Sequence, residues 1–364
     1  MIRVNAVTSN HMHALVSAFR GCGAFHRRLA LGGAMLVASL AVACSADPVV
    51  HVPARYAEDA RRVPPDFNLK LSDGAQIPVR TWGTSTARPR AAILALHGFD
   101  DSRDAWEFAA PTLAERGLVL WSPDQRGFGE APRRGDWVGA ARMVRDVREE
   151  LALLAKAYPG TPIFLMGESM GGAIAILTMT APDAPHVAGT ILLAPAVWTV
   201  GGVAALPVRI AAALAPDGRV TGRELPVHVT ASDNMAALRR LYFDPLTLRS
   251  TKLSALSGLI DLMSSAARAA LDLRGPVLLV YGDQDQLVPS AAMAQVWRNL
   301  PQNVRRDLIP GGHHLMLRDR RRDRVTADIA SWINAPDTPL PSGGDVAAAV
   351  WATLNDAAPR SAGR

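Results

Sequence analysis

Five short apolar runs, each stopped by glycine or proline, set the strongest limit on the fold: RAAILALHG (90–98), LVLWSPD (118–124), PIFLMG (162–167), GTILLAP (189–195) and GPVLLVYG (275–282). Runs this uniformly apolar suit strands covered on both faces. Helical patterns lie between them, in VGAARMVRDVREELALLAKAY (138–158), in the segment from Met170 and over SAAMAQVWRNL. Pro111 must begin or kink another helix within WEFAAPTLAERG. Strand alternating with helix predicts an α/β fold: a parallel sheet flanked by helices, with its chemistry at the carboxyl ends of the strands. Ahead of it, FNLKLSDGAQIPVRTW (67–82) has two short runs around SDGA, a hairpin signal.

One interval breaks the alternation. From Ala196 to Arg274 there is no clear strand, only helical pieces such as VAALPVRIAAALAP and NMAALRRLYFDP. A structureless insertion of that length is improbable in a compact domain. The expectation is a helical cap (196–274) inserted after the sixth strand, with extra core helices beside the sheet as the alternative. The core is then 66–195 and 275–334. Residues 45–65 form a proline-bearing linker, and 335–364 a tail with a proline-rich connection, a short helix and a frayed end.

The N-terminus reads as a targeting segment. HRR at 26–28 precedes a run of 15 apolar or small residues (29–43) ending at Cys44, which suits a secretory leader and is short for a spanning helix. The stretch before HRR is long for such a leader, which makes Met12 an alternative start. LAVAC resembles the lipobox of bacterial lipoproteins, which implies acylation of Cys44 and a membrane anchor; otherwise the chain is periplasmic or secreted. Cys22 lies in the leader, so Cys44 is the one cysteine left after processing, and neither a disulfide nor a cysteine nucleophile is expected. The leader also explains the charge. The chain is formally +6, but four arginines and no acid precede Cys44, leaving 35 basic against 33 acidic residues. RDRRRDR (318–324) carries its own acids and reads as the exposed face of a late helix, so nucleic-acid binding is not expected.

The run PIFLMG leads directly into GESMGGAIAIL. G-E-S-M-G (167–171) fits a nucleophile elbow, in which glycines permit a sharp strand-to-helix turn and Ser169 projects from it. A serine hydroxyl is a weak nucleophile and needs a base, an orienting acid and donors for the developing oxyanion. LLVYGDQDQLVP offers Asp283 or Asp285 as the acid, although either could cap the next helix. IPGGHHLMLRDR offers His313 or His314 as the base. The backbone N–H groups of Met170 and of Phe99, in LHGF, are the oxyanion donors expected for this elbow. His97 reads as a structural residue holding that loop.

With these residues assembled, the sequence resembles the monoacylglycerol lipase and lysophospholipase group of α/β-hydrolases, the serine aminopeptidase-like hydrolases, over about residues 66–334. ALHGFDD, SPDQRGFGEAP, FLMGESMGGA, TASDNMAALRRLYFDP, YGDQDQLVP and GGHHLMLRD look like the family's blocks in its order. The resemblance places the acid at Asp285 and the base at His314. Glu168 departs from it, standing where histidine is common, and His313 stands where tyrosine is frequent. It implies an α/β-hydrolase fold and a serine ester hydrolase working through an acyl-enzyme on a monoacylglycerol or lysophospholipid. A small-ester carboxylesterase, an aminopeptidase-like hydrolase and a membrane-tethered binding module are the alternatives. No metal or organic cofactor is required.

Overall fold

The computed structural model describes residues 48–84, 88–221 and 229–356. The leader, Cys44 included, lies outside the described residues. β1 (Phe67–Lys70) and β2 (Gln76–Trp82) form the antiparallel hairpin. β3 (Ala91–Leu96), β4 (Leu118–Pro123), β5 (Ile163–Glu168) and β6 (Gly189–Leu193) follow, each buried throughout. Two-residue strands β7 (Arg219–Val220) and β8 (Thr251–Lys252) pair separately, inside the interval that the sequence suggested was free of strands. β9 (Val277–Gly282) and β10 (Val304–Ile309) complete an eight-stranded sheet of order β1-β2-β4-β3-β5-β6-β9-β10. It is parallel from β4 to β10, with β2 antiparallel to β4. The chain steps from β3 out to β4 and then returns past β3 to β5. Loops after β3 and β5 therefore leave in opposite directions and open a crevice at the carboxyl edge.

Nine helices are described: α1 (Ala110–Glu115), α2 (Ala140–Ala157), α3 (Met170–Thr180), α4 (Gly202–Leu214), α5 (Met235–Phe243), α6 (Leu253–Ala269), α7 (Ser290–Asn299), α8 (Arg322–Asn334) and α9 (Gly344–Asp356). Pro111 begins α1, in the first turn where a missing N–H costs little. MGGAIAILTMT in α3 is apolar on every side and must be covered all round. The sheet covers one side, while α2 and α6 pack along it. Leu262, Ala266 and Ala270 thus join the main core. The insertion is consequently of two kinds: α4 and α5 lie away from that core, whereas the second half of α6 belongs to it.

One surface reading changes. Arg318 and Asp319 are not on an exposed helix face but precede α8, 3% and 4% exposed. The physical reason is an ion pair from Arg318 to Asp101 in the loop after β3. In the C-terminal stretch the short helix is α9, which covers β10 with Trp351 meeting Trp297, ring centroids 5.1 Å apart; the expected frayed end lies outside the described residues. Among the described residues no helix is long and apolar enough to cross a membrane.

Candidate active site

β5 ends at Glu168 and α3 begins at Met170, so Ser169 alone makes the corner. Its backbone sits at φ 53°, ψ −115°, a sparsely populated region costing about 1–3 kcal/mol. The neighbouring glycines make this approach sterically open. A Cβ on Gly167 would lie 2.4 Å from the Gly171 carbonyl oxygen, and one on Gly171 only 2.2 Å from that of Leu96. The Ser169 N–H donates to the Leu193 carbonyl at 3.0 Å, and its own carbonyl accepts from the Ala196 N–H at 2.9 Å. Ser169, Asp100 and Ala194 are three of the four non-glycine residues with positive φ among those described. All three lie at one rim, which is where stored backbone strain accompanies function.

The loops after β9 and β10 deliver the other groups to this edge. His314 Nδ1 is 2.8 Å from Asp285 Oδ2, with both side chains almost wholly buried. Asp285 Oδ1 accepts from the N–H groups of Leu287 and Val288 at 2.8 and 2.9 Å, so its second oxygen is fixed toward the ring. A carboxylate accepts at Nδ1, which puts the ring proton there and leaves Nε2 as the basic nitrogen. Burial pulls the His314 pKa down, but the hydrogen bond and charge of Asp285, with Glu168 beyond, hold it above its ordinary value. Among the described residues no hydrogen bond joins the Ser169 hydroxyl to this ring; such bonds often tighten only with substrate bound.

The two open choices separate cleanly. Asp283 accepts the Gly311 N–H at 2.7 Å and shapes the glycine turn. His313 turns to Asp319, which accepts its backbone N–H at 2.8 Å and lies 3.3 Å from its Nδ1. Asp233, His313 and Asp319 have ligand atoms within 4.8 Å of one another, but Asp319 is already occupied by Ser232, Asp233 and His313.

Phe99 stands on the loop after β3, where Gly98 passes so near that a Cβ there would be 3.5 Å from that of Ser169. Neither the Phe99 nor the Met170 N–H donates to another group among the described residues. His97 holds this loop. Its Nε2 accepts from the Gln125 N–H at 3.0 Å, so Nδ1 carries the proton and donates to the Gly98 carbonyl at 2.7 Å. Burial keeps this ring's pKa low.

Sequence reasoning missed a charge cluster behind the rim. Arg318 binds Asp101 through both Nη atoms, at 2.5 and 3.1 Å, tying the loop of Phe99 to the loop of His314. Burial opposes charge on both partners, yet each outweighs it for the other: the Asp101 pKa falls and the Arg318 pKa rises. Glu168, 2% exposed, lies against this pair and His314, and burial pushes it up to about 7. The available signal was an arginine four residues after His314 and an acid four after His97; composition alone assigned that arginine to the surface.

An apolar cavity of about 550 Å³ starts at Phe99 and Asp100 and runs beneath α5 and α6, past Leu238, Leu241, Leu248, Leu256 and Leu259. A larger cavity, about 1310 Å³, opens at the opposite ends of the strands, against Pro276 and Val304. Ser169, Asp285 and His314 do not line it.

The fold and the convergence at its rim define an α/β-hydrolase. The sequence profile of the hydrolase 4 family, described as serine aminopeptidase, S33, matches residues 87–321. The chain belongs to that family and is a serine ester hydrolase of the lipase and esterase kind. It is similar to the monoacylglycerol lipase of Mycolicibacterium smegmatis, 27% identical over 71% of this chain and 93% of that one. Against the monoglyceride lipase of Homo sapiens it is 32% identical over 61% of this chain and 74% of that one. A soluble variant of the Saccharomyces cerevisiae monoglyceride lipase, solved with a substrate analog, shares the fold at TM-score 0.64, 18% identical over 77% of this chain and 98% of that one.

Proposed function

We propose that Ser169, His314 and Asp285 act as nucleophile, base and orienting acid on the ester of a single-chain lipid, a monoacylglycerol or lysophospholipid. Ser169 Oγ attacks the ester carbonyl while its proton passes to His314 Nε2, and Asp285 steadies the imidazolium through Nδ1–H. The N–H groups of Phe99 and Met170 receive the tetrahedral oxyanion. Its collapse expels the alcohol, which takes the proton from His314, and leaves an acyl group on Ser169. Water, deprotonated by the same nitrogen, then releases the fatty acid and restores the serine.

The observation that carries the lipid reading is the apolar cavity reaching from Phe99 beneath α5 and α6. The cavity borders Phe99, which carries one of the two proposed oxyanion donors, while Ser169, Met170 and His314 lie beyond its lining. The names of the bacterial and human relatives support the same substrate class. The leader supports an exported location, with the chain held at a membrane through acylated Cys44.

Labelling with a fluorophosphonate, followed by peptide mapping, tests the nucleophile; hydrolysis of monoglycerides of graded chain length tests the substrate. Label should fall on Ser169, vanish in Ser169→Ala, and accompany faster turnover of long chains. Label elsewhere removes the mechanism, and a preference for acetyl or butyryl esters reduces the reading to a small-ester carboxylesterase.

A further inference from the structure

Residues 48–66 precede the first strand and lie outside the stretch that the family profile matches. Residues 45–65 were expected to be a linker, yet their described part, from Pro48, is fastened across the molecule. Pro48 and Val50 line the cavity that begins at Phe99, opposite Leu238, Tyr242 and Leu248. Val49 between them is 98% exposed. Next, the Tyr56 ring stacks on Phe243 of α5, centroids 5.3 Å apart. Arg239 lies over the same ring at 5.0 Å and donates through Nε to Asp59 at 2.5 Å. Arg240 donates to the Asp59 carbonyl at 2.9 Å while its Nη2 reaches buried Asp104, also at 2.9 Å. Beyond α5 the segment is fixed to the core. Arg103 donates to the Val63 carbonyl at 2.8 Å, and Arg62 is paired with Glu130.

We infer that residues 48–59 are a specificity-determining strap, in which Pro48 and Val50 supply one wall of the acyl cavity and Tyr56 with Asp59 pins α5 as the facing wall. This rests on the lipid reading above. The anchoring is built from groups that have no part in the chemistry, so the strap governs which chain is held and leaves the attack on the carbonyl untouched. It also places the selecting residues in a part of the chain that family likeness cannot reveal.

The test uses the full-length chain and two alkyl fluorophosphonates, one with a short tail and one with a dodecyl tail, which react at Ser169 without requiring turnover. In Val50→Asp a carboxylate faces the cavity. Labelling by the dodecyl probe should slow about tenfold, the low end for altered apolar contact in a binding pocket, while labelling by the short probe stays at the parental rate. Val49→Asp, which adds the same charge one residue away on the solvent side, should leave both rates unchanged. Tyr56→Ala should slow the dodecyl probe less than Val50→Asp does. Equal effects of Val49→Asp and Val50→Asp, or no effect of either, overturn the strap while a parental preference for the dodecyl probe preserves the lipid reading. A parent that labels no faster with the dodecyl probe overturns the lipid reading, and the strap with it.

Discussion

Asp285 and Asp307 are buried acids carried by the neighbouring strands β9 and β10, one just past its end and one within it, and their surroundings are opposite. Asp285 accepts two backbone N–H groups with one oxygen and holds His314 with the other. Among the described residues no backbone N–H reaches either oxygen of Asp307, which instead faces the Asp328 carboxyl of α8. Burial, reinforced by Asp328 and Asp345 and only weakly opposed by Arg305, pushes Asp307 up to about 8. A strongly shifted acid therefore does not by itself mark a reacting centre. Convergence marks it: at the carboxyl rim an acid, a base, a strained serine and two N–H groups without an acceptor among the described residues meet, whereas Asp307 has Asp328, Asp345 and Arg305 around it beneath α9.

The largest expected effect separates these two acids. Asp285→Asn keeps the shape but favours the wrong ring tautomer of His314, and kcat for ester hydrolysis should fall about 10⁴-fold. Asp307→Asn should leave kcat within the error of the parent. Steady-state assays of both variants on one ester decide it, and a folded Asp307→Asn protein without activity would break the comparison.

Stability gives a second contrast, between the ion pairs at the two ends. The side chains of Arg318 and Asp101 are 4% and 6% exposed, whereas those of Arg305 and Asp345 are 30% and 18% exposed. Arg318→Met strands a buried carboxylate and should cost roughly 3–5 kcal/mol, read from the urea midpoint; pairing it with Asp101→Leu should recover most of that loss. Arg305→Met should cost about 1 kcal/mol or less, because solvent already screens that pair. Equal losses would mean that the rim pair is no more deeply desolvated than the other.

Much of this contrast was legible in the sequence, and the limits have physical causes. Ser169 could be read because its glycines are required by local sterics, and Asp285 because it follows the unmistakable apolar run of β9; His314 was read from its Gly-Gly-His-His loop, since β10, VRRDLI, mixes charged residues into the strand and has no such run. Choosing Asp285 over Asp283 and His314 over His313 needed the family pattern, since spacing allows either member of each pair. Arg318 was misplaced because a charge-rich string looks solvated, and the acid that neutralises it is far away in sequence. The strap at 48–59 was invisible for the same reason: its anchors, Arg239, Arg240 and Phe243, come from a distant helix, and an aperiodic proline-bearing segment has no internal pattern of its own. The two-residue pairing of β7 with β8 is too short to leave one.

The pH dependence of folding also turns on Asp307. An unfolded aspartate titrates near ~3.9, and folded Asp307 near about 8. Between these values the folded protein binds the extra proton, so this group makes stability fall as pH rises through that window and contributes no further change above it. Asp307→Asn removes the group, and thermal unfolding followed from pH 5 to 8.5 should show a flatter decline than the parent. An unchanged slope would mean that another acid is responsible; Glu150, buried and also pushed up to about 8, is the first to replace next.

The smallest effect is expected from Glu168, an acid of the rim that burial shifts upward. Its negative charge stabilises the His314 imidazolium and so helps to raise the ring's pKa. Hydrolysis needs the neutral ring, so the acidic limb of kcat/KM reports that pKa. Removing the charge in Glu168→Gln should lower it and move the limb to lower pH, leaving the plateau rate little changed. Because Glu168 itself titrates near about 7, the parental limb should also be broader than a single ionisation, and the variant's should sharpen to one. A limb that stays in place, or moves to higher pH, shows that the charge does not reach the imidazole. The matched Asp307→Asn profile should superimpose on the parent's, and any displacement there would show the two acid clusters coupled through β10 rather than separate.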